Sequence, residues 1–180
     1  MKATGIVRRI DELGRVVIPK EIRRTQRIRQ GDALEIFTAD EGEVVFKKYS
    51  PLMGLQELAA AYAEVLGKNL GLPVLICDRE RALAVAGLPR KDIPDAPVST
   101  GLEKLLMARS VYLAPEDAAR RIRPWEKSDK AVLCAAPILV QGDVEGGVCL
   151  LGGLPAPAPG AEQSRAAGIA AAFFARWMAE

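Results

Sequence analysis

The sequence contains no histidine. Without an imidazole, Ser-His-Asp and Cys-His catalysis, HExxH zinc sites and Cys/His fingers are all excluded. Cysteine is scarce as well: Cys77, Cys134 and Cys149 are odd in number, far apart and form no CxxC. Each lies in an apolar run, such as Leu75-Ile76-Cys77 or Val148-Cys149-Leu150. They are expected to be buried, reduced and packed as small hydrophobes, with no redox or metal role. No run of 18 apolar residues occurs, because Gly and Pro interrupt the longest uncharged stretches, so no membrane span is predicted. No apolar segment precedes Arg8 and Arg9, so no signal peptide is expected and the chain is predicted to be soluble and cytoplasmic. No internal repeat is present.

What is there is a chain of 180 residues, 49% hydrophobic, too apolar for disorder and long enough for one ordinary domain or two small ones. The 25 basic and 23 acidic residues nearly cancel, but they are unevenly placed. Residues 1 to 29 hold nine basic residues against three acids, a local charge of +6. Residues 30 to 50 hold two against five, and the rest is close to neutral. A concentrated positive segment on an almost neutral molecule is the footprint of a polyanion-binding surface. Charge alone does not choose between DNA, RNA and an acidic membrane.

The pattern along residues 5 to 49 predicts a β-rich unit. Gly5–Ile10 and Arg15–Ile18 read as strands around an Asp11-Glu12-Leu13-Gly14 turn. Pro19 suits the first turn of a helix running from Lys20 to Ile28. Gly31-Asp32 is a turn signal, strands follow around Leu34–Thr38 and Val44–Tyr49, and Asp40-Glu41-Gly42 is a turn between them. Ile6-Val7 and Val16-Val17-Ile18 are apolar at consecutive positions, so both faces of these strands need burial. About 50 residues cannot cover two faces. A second copy of the chain is the simplest cover, and an obligate dimer with interleaved hairpins is expected.

Tyr49-Ser50-Pro51 marks a boundary. Leu55, Leu58, Ala59, Tyr62 and Leu66 then recur at helical spacing in a linking helix within residues 51–72. Residues 73–180 read as a further domain. Strands are expected at Val74–Asp78 and Leu83–Ala86, a helix at Gly101–Ser110, and a hairpin at Ala131–Val140 and Val144–Leu151 around Gln141-Gly142-Asp143. A terminal helix carries Ile169, Phe173, Phe174 and Trp177 in one stripe suited to core or oligomer contact. The order predicts an α+β architecture, an antiparallel sheet with flanking helices.

The basic residues of the first unit form a constellation. Lys20, Arg23, Arg24 and Arg27 stand at i, i+3, i+4 and i+7, one face of the predicted helix. Arg8 and Arg9 lie on the first predicted strand, and Arg15 opens the second. Arginine is the useful type because its planar fork binds phosphate or a guanine edge in bidentate fashion. Each arginine alone fits a solvated surface, but the cluster, with Glu21 the one acid on the helix, favours nucleic acid.

The run Thr4-Gly5-Ile6-Val7-Arg8-Arg9-Ile10-Asp11-Glu12-Leu13-Gly14-Arg15-Val16-Val17-Ile18-Pro19 resembles the AbrB-type swapped-hairpin DNA-binding domain. So do Glu21-Ile22-Arg23-Arg24-Thr25, Gly31-Asp32 and Leu34-Glu35-Ile36, and the resemblance covers about residues 2 to 50. It implies a homodimeric β-barrel built by both chains, with Arg8, Arg15, Arg23 and Arg24 facing double-stranded DNA and Arg9 beside them. Lys47-Lys48-Tyr49-Ser50-Pro51, Val74-Leu75-Ile76-Cys77-Asp78-Arg79 and the terminal helix resemble the stage V sporulation T family. That family joins the AbrB-type domain to a C-terminal GAF domain. The resemblance implies residues 1–50 as the DNA-binding domain, 73–180 as a GAF-like domain, and a sporulation transcription factor that is tetrameric through its helices and GAF domains.

GAF domains often bind small molecules, but the fold alone specifies no ligand. No cofactor is expected, and an effector, if one exists, is unidentified. Arg120, Arg121, Arg123 and Trp125 could grip an anionic effector; the favoured reading is a charged surface loop anchored by Trp125. The sequence leaves two other functions to compare. An antitoxin-like or nucleoid-type DNA-binding protein would use the second domain for protein interaction, but a short acidic antitoxin tail is missing. An enzyme would need an acid, base and nucleophile set that residues 51–180 do not offer.

Overall fold

Pro19, with φ −58°, stands directly before helix α1 (Lys20–Thr25) in the computed structural model, which describes residues 4–39 and 42–179. Its carbonyl accepts the Arg23 N–H at 2.9 Å and starts the helical ladder. The helix ends three residues before the expected Ile28, because Arg27 turns the chain left-handed at φ +53°. The Ile28 N–H then donates to the Arg23 carbonyl at 2.7 Å, the bond that closes a Schellman-type cap.

Strands β1 (Leu34–Ala39) and β2 (Glu43–Lys48) follow as an antiparallel ribbon whose register runs from Leu34 opposite Lys48 to Ala39 opposite Glu43. Of the turn expected between them, Asp40 and Glu41 lie outside the described residues, and Gly42 takes φ +80°. Gly5–Ile10 and Arg15–Ile18, expected as strands, join neither sheet of this chain. The turn between them does form: the Asp11 N–H donates to the Arg15 carbonyl at 3.0 Å, and the Gly14 N–H to the Asp11 carbonyl at 2.9 Å. The arms keep most of their apolar side chains in solvent, with Val7 82% and Ile10 72% exposed, while Ile18 is half-buried. A ribbon of two six-residue strands offers too little apolar face to bury two more arms.

The chain divides into two compact units, Met1–Tyr49 and Ser50–Glu180. The second opens with a 3₁₀ turn at Pro51–Leu55 that runs into α2 (Gln56–Leu70), closed by Gly71 at φ +63°. Strands β3 (Val74–Asp78) and β4 (Ala82–Ala86), helix α3 (Thr100–Met107), the two-residue β5 (Tyr112–Leu113), the long hairpin β6 (Lys130–Val140) and β7 (Asp143–Gly153), and α4 (Ala161–Met178) complete it. The five strands form one antiparallel sheet in the order β4-β3-β7-β6-β5. The sequence pattern anticipated these helices and strands except the 3₁₀ turn at Pro51–Leu55 and β5.

Both faces of this sheet are covered, which is why its strands read as continuous apolar runs. Val74 and Ile76 point into a cluster with Ala59 and Ala63 of α2 and Ala167, Ala170 and Phe174 of α4. Leu75 and Cys77 point the other way, to Leu102, Leu105 and Leu106 of α3 and to Trp125. A register shift between Val132 and Cys134 lets β6 feed Val132 to the second cluster and Cys134 to the first. Helix α3 can approach β7 because Gly147 has no side chain; a β-carbon there would collide with Leu106.

All three cysteines are free and buried, as expected. Burial pushes the Cys134 thiol up to about 11. A hydrogen bond with Cys77 and burial raise Cys149 well above the ordinary thiol range. With raised thiols, Cys134 and Cys149 stay protonated at neutral pH, which suits packing and not nucleophilic chemistry.

Candidate nucleic-acid interface

The candidate interface begins at the turn after the first arm. The Asp11 carboxylate accepts the Leu13 N–H at 3.0 Å and the Arg15 N–H at 2.8 Å through Oδ1. Its Oδ2 accepts the Arg15 Nε at 2.8 Å. These bonds to Arg15 hold the Asp11 carboxyl below the ordinary carboxylate range. Asp11 thus closes the turn and aims Arg15 from it, a role the sequence reading did not assign. The signal was the Asp-x-x-Gly spacing, where an aspartate bonds its own backbone two residues on. Arg15 remains exposed beyond this grip.

Helix α1 supplies the next cations. Lys20, Arg23 and Arg24 share the helix and are exposed. Arg23 and Arg24 sit in its last turn, where the negative end of the helix dipole favours them. Arg27, expected on the same face, lies beyond the helix end at positive φ, so helical periodicity does not place it with Lys20, Arg23 and Arg24. Arg8 and Arg9 are exposed on the first arm, and Arg8 Nη1 donates to the Val7 carbonyl at 3.1 Å. All seven of these side chains are solvent-facing, on a unit with exposed apolar residues around them.

The two neighbouring lysines of β2 differ. Lys47 lies over the Phe37 ring, 4.6 Å from its centroid, and remains exposed. Lys48 is partly buried, 3.6 Å from Asp32. Charge counting does not separate them.

In the second unit, Trp125 is 2% exposed and packs in the core between the sheet and α3, the anchoring role favoured from sequence. Arg121 does not fit an effector-gripping lid. It is buried, and its guanidinium donates to the carbonyls of Pro115 (3.0 Å), Leu154 (3.1 Å), Ala156 (2.7 Å) and Glu116 (3.5 Å). It stitches two loops together, while Arg120 and Arg123 stay exposed. Among the described residues no helix is long and apolar enough to cross a membrane.

A family model described as stage V sporulation protein T C-terminal, transcription factor, matches residues 54–179. The chain belongs to the stage V sporulation protein T family. The stage V sporulation protein T of Bacillus subtilis strain 168 is 45% identical to it over 178 residues, 99% of each chain. The transition state regulatory protein AbrB of the same organism is 61% identical over 72 residues, 40% of this chain and 70% of AbrB. Residues 7–52 also match a family model described as antidote-toxin recognition MazE, bacterial antitoxin. In structure the chain is similar to the GAF domain/HD domain protein from Geobacter sulfurreducens, with a TM-score of 0.52 and 18% identity over 71% of this chain and 95% of that one. At that identity the likeness is one of fold. An AbrB-like sequence precedes the domain that defines the family, and the α+β, GAF-like architecture expected from the sequence is borne out.

Proposed function

We propose that this protein is a DNA-binding transcription regulator of sporulation genes. The observation that carries the reading is a set of exposed arginines on locally fixed backbone: Arg15 pinned by Asp11, and Arg23 and Arg24 on α1. Arg8, Arg9, Arg15, Lys20, Arg23, Arg24 and Arg27 are the proposed DNA contacts. Arginine forks suit guanine edges and phosphates, and Lys20 suits phosphate. A self-associated assembly supplies the strand partners that the arms 4–10 and 15–19 lack in their own chain, and it doubles the basic surface. A tetramer through the helices and GAF-like unit is the proposed full assembly, acting in the cytoplasm. An unidentified small-molecule effector of that unit and the absence of enzymatic activity belong to the same proposal.

The MazE-type match over residues 7–52 favours a second reading, an antitoxin-like DNA-binding protein. It is the weaker one, because residues 54–179 fall to the sporulation family and not to a toxin-binding tail.

The test is a salt titration of binding to duplexes carrying sporulation promoters. A dimer placing roughly 6–10 cations on phosphates loses about 10³–10⁵ in affinity between about 50 and 200 mM salt. Arg23→Ala and Arg24→Ala abolish specific binding and leave the sedimentation behaviour unchanged. Wild-type promoter affinity in both variants would refute the assignment.

A further inference from the structure

The arginines of α1 can read DNA only if the helix is held at a fixed angle, and α1 has little of its own to hold it. It is six residues long, contributes no buried residue and is followed by an arginine in the left-handed region. Side chains from the base of the β1–β2 ribbon fasten that end instead. Lys48 closes β2 opposite Leu34, and the Tyr49 N–H donates to the Ala33 carbonyl at 3.0 Å, which brings the Lys48 ammonium to the segment 27–32. Lys48 Nζ donates to the Arg27 carbonyl oxygen and lies 3.6 Å from Asp32 Oδ2. The same Asp32 oxygen accepts the Arg29 N–H at 2.8 Å. The Asp32 side chain is only 8% exposed, so its carboxylate is a fixed anchor for the ammonium and not a solvated neighbour.

By charge alone Lys47 and Lys48 count equally as phosphate contacts, yet only Lys48 is directed inward, onto the carbonyl that follows α1. We infer that Lys48 is a positioning residue for DNA recognition: anchored by Asp32, it clamps the Arg27 carbonyl and so sets the orientation of Arg23, Arg24 and Arg27 without itself neutralising phosphate. The inference rests on the DNA-binding reading above. A lysine on phosphate contributes to salt dependence, whereas a residue that orients base-reading arginines contributes to discrimination between sequences.

The experiment uses the full chain and two duplexes, one selected by the wild-type protein from a random pool and one unselected, each across a salt series. Lys48→Met lowers affinity for the selected duplex about tenfold. It leaves the unselected affinity and the salt slope at wild-type values. Lys48→Arg restores most of the loss, because a guanidinium also donates to a carbonyl and a carboxylate. Asp32→Asn gives a smaller loss of the same kind. The inference is overturned if Lys48→Met weakens both duplexes alike and lowers the slope by about 0.9 per protomer. Unchanged discrimination in that variant overturns it too. Should Lys48→Met fail to assemble, Asp32→Asn decides in the same terms: reduced discrimination at unchanged slope supports the clamp, and wild-type behaviour removes it. Failure of the DNA-binding reading itself looks different, since wild type and Arg23→Ala would then bind both duplexes equally poorly, and the clamp would fall with it.

Discussion

At the scale of single residues, Arg27 combines a backbone cost with a charge. A non-glycine residue in the left-handed region costs about 1–2 kcal/mol, and Arg27 adopts it at φ +53° to end α1. Arg27→Gly is therefore expected to tighten the cap by about 0.5–1 kcal/mol, while keeping the carbonyl that Lys48 binds. Slower amide exchange at Ile28, whose N–H closes the cap, is the readout of that gain. The same variant loses a cation, so its DNA affinity should fall and its salt slope drop by about 0.9 per protomer. Faster exchange at Ile28 would mean that the arginine side chain, and not the backbone turn, holds this end. The identity of the cations was legible in the sequence, but their individual roles were not. Nothing in the spacing of Lys47 and Lys48 says that one stacks on Phe37 and the other turns inward to Asp32, because that depends on strand register and on the course of residues 27–32.

Elements were legible where local chemistry and tertiary packing agree. The β6–β7 hairpin carries Gln141 and Gly142 at φ +50° and +93°, the pair of left-handed residues that a two-residue hairpin turn needs, and glycine announced it. The end of α1 was not announced, since an arginine stands where glycine is usual. The valines and isoleucines of the two arms around Asp11 favour strands, yet a strand needs a partner as well as a propensity, and one chain provides none. β5 is two residues long, too short for any periodic signal. Glycine in β7 has a different meaning from glycine in a turn: at Gly147 it makes room for Leu106 of α3. Gly147→Ala overpacks this contact and is expected to destabilise the second unit by about 1–3 kcal/mol. Urea unfolding followed by fluorescence of a Trp177→Phe background measures it, since Trp125, then the one tryptophan, lies in the same core cluster as Leu106. An unchanged midpoint would mean that α3 shifts off the sheet without cost.

At the scale of the whole molecule, the apolar surface that one chain leaves in solvent makes an argument about stoichiometry. In the first unit Val7, Ile10 and Val17 are exposed, and consecutive apolar residues in the sequence already signalled that both faces of these arms need cover. In the second unit the terminal stripe divides: Phe174 is fully buried on the sheet, while Trp177 remains 50% exposed beside Phe173, 5.8 Å between ring centroids. Ile169, about two turns before Trp177 along α4, is also exposed. Burying a large apolar side chain contributes about 1.5–3 kcal/mol, so two exposed surfaces, one in each unit, match an assembly with two kinds of interface. Sedimentation separates them. The double variant Ile169→Glu/Trp177→Glu is expected to reduce the proposed tetramer to a dimer, because the charges are placed on the second surface and leave the first untouched. Its DNA binding should weaken at operators with two sites, through lost avidity, and stay at wild-type strength on a single short site. A double variant that sediments as the wild type would take α4 out of the assembly and leave the exposed tryptophan without that explanation.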